Sequence, residues 1–279
     1  IGVRLVGSEM CIRDSSYSLP GVRDAEGYTF MGWSTKPMQS VSPQYEAEEK
    51  ITVNGNVDLY AVVFNRTTET DLTEDQLPQV DIYKYKQVIF VGDSRTEFME
   101  NVLTGMGESA TKNVKFVCSA GKGLDWFTTT GWAQLYSIVQ HDSNSILSKK
   151  TAVIFNFGVN DLSKSADYAE YYNWIAPQLK SKGCELYFMS VNPVNRLMLP
   201  NAGRADRSEA AVRSFNQYMK ANLSSAYTYI DMYSYLKSTG YSFASDHYGT
   251  GTVDDGLHYT TRTYKRIFAK CMDSLRVPA

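Results

Sequence analysis

The chain has little with which to hold a metal or to cross a membrane. Its 279 residues include only three histidines and four cysteines. None of Cys11, Cys118, Cys184 and Cys271 forms a C-x-x-C pair, and no spacing resembles a zinc site, so no metal is expected. Cys118 and Cys184 sit in or beside apolar runs and read as buried free thiols. No apolar run reaches the roughly 18 residues of a spanning helix, so no membrane span is expected. A net charge of −2 supplies no field to gather nucleic acid, and no such partner is expected. Nor does the chain open with an initiating Met or with the charged start and apolar stretch of a signal peptide. Nothing in the sequence specifies an oligomer.

What is present suits one large folded domain, or a medium one with a smaller companion. Twenty tyrosines fit aromatic-lined surfaces such as those of carbohydrate binders. Residues 1–14, IGVRLVGSEMCIRD, differ in composition from the rest of the chain and are similar to translated sequencing-adapter sequence. They are expected to be non-native, and the chain is expected to be a fragment of a longer protein.

Residues 15–66 read as short strands and turns: Tyr28–Phe30 followed by Gly32-Trp33, Ile51–Val53, the turn Asn54-Gly55, then Val57–Val62. Asn-Gly between apolar runs predicts a hairpin. The segments GYTFMGWS at 27–34, ITVNGNVDLY at 51–60 and the AVV after it resemble the Listeria–Bacteroides repeat, a small β-grasp-like module of the internalin B-repeat type. Val63 stands where that family usually carries Trp, and an upstream first strand is missing from the pattern. The resemblance implies a bacterial secreted or cell-surface protein. Residues 67–86 are polar and read as a linker, with a short segment docking at Leu77–Tyr83.

From Gln87 to the end, short apolar runs at 88–91, 114–117, 152–155, 186–189 and 227–230 alternate with helix-like stretches near 95–104, 124–140, 168–182, 207–223 and 260–275. This alternation predicts an α/β domain with a parallel sheet and helices on both faces. Ligands in such folds bind beyond the carboxyl ends of the strands, so the polar residues just after each run matter most.

After the first run comes Gly92-Asp93-Ser94-Arg95, which puts Ser94 at a helix N-terminus, where negative charge is favoured. A plain helix cap at Asp93 or Ser94 is the alternative. After the third run comes Gly158-Val159-Asn160-Asp161, where Asn160 can aim a side-chain N–H at an oxyanion or close an Asx-turn. Near the end comes Asp254-Asp255-Gly256-Leu257-His258, in which an Asp three residues before a His can orient its imidazole. His141 reads as a helix C-terminal cap, and His247 lies in a Gly- and Asp-rich loop.

G-D-S after strand one, G-x-N-D after strand three and D-x-x-H before the last helix is an arrangement similar to that of the SGNH/GDSL hydrolases, over 87–279. The resemblance implies a three-layer α/β/α, flavodoxin-like fold and a serine esterase without cofactor. Carried over by position, Ser94 is nucleophile and oxyanion donor, Asp255 and His258 complete a triad, and Asn160 supplies another donor. A glycine after the second strand supplies the remaining donor. Gly123 matches by spacing, with Gly121 the alternative. Asp254 competes with Asp255 but is wrong by one in spacing. Asp93, Arg95, Asn192 and Trp126 are the expected substrate-binding residues, with Asn195 also placed toward a cleft; Trp126, Tyr172 and Tyr248 can stack on a sugar ring, with core or rim packing the favoured reading of any one of them.

The expected substrate is a small acyl ester, acetyl above all, on a glycan. A short-chain lipase or thioesterase, or a surface protein that only binds glycan, are the alternatives.

Overall fold

The computed structural model describes residues 2–5, 15–37, 42–53, 55–81, 84–142, 150–199, 207–245 and 254–275. Its contacts divide the chain into two compact units. One gathers residues 1–70, 192–212 and 233–260; the other gathers 71–191, 213–232 and 261–279.

The first unit opens with β1 (Gly2–Leu5), β2 (Ser15–Ser18), β3 (Tyr28–Ser34), β4 (Lys50–Val53) and β5 (Val57–Asn65). β5 pairs antiparallel with both β1 and β3, while β2 and β4 form a separate antiparallel pair. The expected Asn54-Gly55 hairpin is therefore corrected: the turn leads from one sheet into the other, and Asn54 itself lies outside the described residues. Local turn chemistry is outvoted by burial, since Leu19, Phe30, Trp33 and Leu59 close a small core with Ile51 and Val57 packed on it. Phe30 meets Trp33 edge-on at 5.4 Å, and the Trp33 indole N–H donates to the Pro20 carbonyl at 2.8 Å.

In the second unit, Leu77 and Val80 are buried ahead of the sheet. It holds β6 (Tyr85–Gly92), α1 (Ser94–Met106), β7 (Val114–Cys118), α2 (Leu124–Trp126) and, after a π-type turn over Phe127–Gly131, α3 (Trp132–Asp142). β8 (Lys150–Asn156), α4 (Ser165–Ser181) and β9 (Cys184–Met189) come next. α5 (Glu209–Asn222) leads to β10 (Tyr227–Ile230). The five strands are parallel, in the order β10-β9-β8-β6-β7. Val88–Val91 and Ala152–Phe155 are wholly buried, as continuous apolar strands covered on both faces must be. Strand order reverses between β6 and β8, so the switch point, where such sheets bind ligands, lies between their carboxyl ends.

The chain then returns to the first unit with α6 (Met232–Thr239), β11 (Phe243–Ser245) and β12 (Asp254–Tyr259), the two strands pairing antiparallel. α7 (Thr261–Ser274) closes the second unit. Within the first unit the buried Lys237 ammonium pairs with Glu46 at 2.7 Å and Glu209 at 3.2 Å. Burial alone pushes its pKa down, but the two carboxylates outweigh that and raise it.

Candidate active site

Ser94 is the first residue of α1, directly after the Gly92–Asp93 exit from β6. Asp93 is the cap: its backbone is extended, and its carboxylate accepts the Arg95 amide hydrogen at 3.0 Å. Ser94 thus sits at the positive end of a 13-residue helix, where the field favours an anion forming on or beside its oxygen. The residue is 6% exposed. Register places Gly92 beside Asn156 of β8 and Cys118 of β7, so the loops after these three strands leave the sheet at one edge.

Two of those loops are tied together. The Asn160 carboxamide donates to the Lys122 carbonyl at 2.7 Å, and the Asp161 carboxylate accepts the Leu124 amide hydrogen at 2.9 Å. These bonds flank Gly123, where an added Cβ would lie 2.3 Å from Asp161 Oδ2, so only glycine lets the loops approach this closely. Tyr168 donates to the other Asp161 oxygen at 2.7 Å. Burial lifts the Asp161 pKa above its ordinary value against the opposing pull of Leu124, Tyr168 and Lys164. Gly121 takes a positive φ of 69°, and nothing meets a Cβ there. The sequence alone assigns Asp161 no role, although it stands beside Asn160; that its carboxylate reaches 37 residues back is a long-range fact no local signal carries.

In the first unit, His258 is 2% exposed and lies on β12. Its Nδ1 is 2.5 Å from Asp255 Oδ2, while Asp255 Oδ1 accepts the amide hydrogens of Leu257 at 2.8 Å and His258 at 2.7 Å. Burial raises the Asp255 pKa, but the imidazole's hydrogen bond and charge, with the two amides, outweigh it and hold the carboxyl below its usual range. A carboxylate so held keeps the proton on Nδ1 and leaves Nε2 as the basic nitrogen. Gly256 makes the turn possible with a φ of 67°, and a Cβ there would lie 2.4 Å from the Asn195 carbonyl oxygen.

Other expected residues fare differently. Asn195 is engaged within the first unit: its carboxamide donates to the Val22 carbonyl at 3.0 Å and to Asp24 at 2.9 Å, and accepts from the Leu197 amide at 3.2 Å. Tyr172 is fully buried among Phe127, Phe155 and Tyr227, so its ring is core. Trp126 is half-buried, tilted on Phe157 at 6.1 Å. Arg95 and Asn192 are 2% and 1% exposed. His247 and Tyr248 lie outside the described residues, as does Cys11. Cys118, Cys184 and Cys271 are free thiols. Among the described residues no helix is long and apolar enough to cross a membrane, and no cluster of three or more His, Cys, Asp or Glu could hold a metal.

Residues 8–62 match the model of the Listeria-Bacteroides repeat domain, and residues 88–271 match that of the GDSL-like lipase/acylhydrolase family. No curated protein matches the chain. Several solved structures are similar. One is a Bacteroides fragilis protein assigned as an acylhydrolase, at 16% identity and a TM-score of 0.47, covering 72% of this chain and 92% of its own. Another is the acetyl xylan esterase AlAXEase, at 10% identity and 0.45, covering 68% and 100%. A third is the C-terminal catalytic domain of Streptococcus pneumoniae peptidoglycan O-acetyltransferase A, at 16% identity and 0.41, covering 68% and 92%. With the family model running from the first strand of the parallel sheet into its last helix, the chain belongs to the GDSL-like lipase/acylhydrolase family and is an ester hydrolase.

Proposed function

We propose that the protein is a secreted or surface-held bacterial serine esterase that removes small acyl groups, acetyl above all, from carbohydrate. Ser94 is the nucleophile, His258 the general base and then general acid, and Asp255 the residue that orients the imidazole. Ser94 attacks the ester carbonyl as His258 Nε2 takes its proton, and the alcohol leaves with that proton. Water activated by the same nitrogen then frees the acid and restores the serine. The backbone N–H groups of Ser94 and Gly123 and the Asn160 carboxamide hold the oxyanion. The reading requires no metal or organic cofactor.

The observation that carries this reading is the His258–Asp255 pair, with the imidazole held through Nδ1 by a carboxylate whose other oxygen is fixed by two amides. Gly123 is favoured over Gly121 because it lies between the two bonds that bind its loop to that of Asn160. For the substrate, the reading takes a sugar: Trp126, partly exposed and three residues beyond Gly123, is proposed to stack on a pyranose ring. Asp93, Arg95 and Asn192 complete the proposed substrate-binding set, with one oxygen of Asp93 engaged in the helix cap. The Listeria-Bacteroides repeat segment supports an extracellular setting.

The test compares acetate release from acetylated polysaccharides with hydrolysis of p-nitrophenyl esters of increasing chain length. Preference for acetate, with turnover on acetylated glycan above that on the surrogate, fits the proposal. A preference for long acyl chains or thioesters contradicts it.

A further inference from the structure

The N-terminal β-rich segment and the Asp255–His258 turn meet at one short stretch, residues 193–195, within the first unit. The Asn195 side chain reaches Asp24 and the Val22 carbonyl, and its backbone N–H donates to the Gly256 carbonyl at 2.8 Å. The Gly256 turn lies against the Asn195 backbone with no room for a side chain. Gly256 separates Asp255 from Leu257, whose amide binds the Asp255 carboxylate. A shift of Asn195 is thus a shift of the turn that aims the imidazole.

Asp24 is itself fixed. Its carboxylate accepts the Phe30 amide hydrogen at 3.0 Å and pairs with Arg66 at 2.6 Å, and the Arg66 Nε–H donates to Thr29 Oγ1. The neighbouring residues are held too. Tyr259 of β12 donates to the Pro193 carbonyl at 2.5 Å. The Val194 amide donates to Glu209, which Lys237 joins to Glu46 of the N-terminal segment.

We infer that the N-terminal segment is part of the catalytic scaffold, with Asp24 and Asn195 acting as positioning residues that hold the Asp255–His258 turn. The inference rests on the reading of Asp255 and His258 as a catalytic pair.

The test uses the full chain. Asn195→Asp keeps an oxygen for the Leu197 amide but sets a carboxylate against Asp24 and the Val22 carbonyl. On p-nitrophenyl acetate, kcat is expected to fall roughly 10- to 100-fold in Asn195→Asp with KM nearly unchanged, the scale set by small misplacements of reacting groups. A second readout needs no turnover: the low-field proton NMR signal of the His258 Nδ1–H should move in Asn195→Asp.

Asn195→Ser retains a capping oxygen but is too short to reach Asp24, and it carries the same expectation should Asn195→Asp not fold. An unchanged kcat and an unmoved Nδ1–H signal in either folded variant overturn the inference. Activity that survives Ser94→Ala instead overturns the proposed function, and the NMR comparison still decides the positioning role.

Discussion

The Asp161 carboxylate lies directly against Gly123, so close that a methyl group on the glycine would sit 2.3 Å from Oδ2. One oxygen of that carboxylate binds the Leu124 amide, and the other is steadied by Tyr168. The result is a loop after β7 whose backbone is set by a side chain from the loop after β8, two strands away in the sheet. Gly123→Ala is expected to push the two loops apart and to lower kcat by about 100-fold, the scale of a lost oxyanion donor. Gly121→Ala meets no neighbour but is strained at its positive φ, and should cost stability more than turnover. Steady-state kinetics and melting curves of the two variants check this, and a larger kcat loss at Gly121 would move the donor there.

Asn160→Asp keeps the side-chain size and removes both N–H donors, including the one on the Lys122 carbonyl. It is expected to cost about 10²- to 10³-fold in kcat, or roughly 3 kcal/mol of barrier, with little change in KM. A loss confined to KM would assign Asn160 to substrate binding.

The proposed triad also makes a prediction about pH, through Asp255. Its pKa is held below the ordinary carboxylate value, so it stays ionised to lower pH than a free aspartate. If His258 is the general base proposed, the acid limb of kcat/KM is expected to report protonation of the imidazole and not of Asp255. Asp255→Asn removes the charge that favours imidazolium, so the limb should move to lower pH while the plateau drops by up to about 10⁴-fold. A limb unmoved in this variant would contradict the assignment.

A separate prediction concerns stability at the other edge of the sheet. Glu185 accepts from Lys150 at 2.6 Å and from Tyr85 and Tyr187, and lies 3.5 Å from Lys84. Burial raises its pKa, but the hydrogen bonds and the two lysines outweigh it and set the value at about 2. The folded value lies below the unfolded one, so the stabilisation is complete above about pH 4.5 and is lost as pH falls through about 2. Glu185→Gln is expected to destabilise by about 1–2 kcal/mol at neutral pH, with the gap closing in acid. Urea denaturation at pH 7 and pH 2 checks it; a gap independent of pH would show that the charge is not what stabilises.

Much of the parallel sheet was legible because buried parallel strands are written as unbroken apolar runs. The runs at 88–91, 114–117, 152–155, 186–189 and 227–230 all became strands. Ser94 and Asn160 were legible as polar residues placed just after such runs. α6 and the β11–β12 pair were not, since α6 lies within eight residues and β11 within three, too short for a period to emerge. Asn54-Gly55 misled because turn propensity says nothing of which partner each strand will find. The bonds of Asn195 to Asp24 and Val22 span more than 170 residues, and Asn195 in sequence looked like any polar residue after a strand. Contacts of that range arise only from the completed fold.

The most direct measurement is hydrolysis of p-nitrophenyl acetate by the purified chain beside its Ser94→Ala variant, with both exposed to a fluorophosphonate probe. The account predicts turnover and covalent labelling in the native protein and the loss of both in the variant, at an unchanged melting temperature. Activity or labelling that persists without the Ser94 hydroxyl would contradict it.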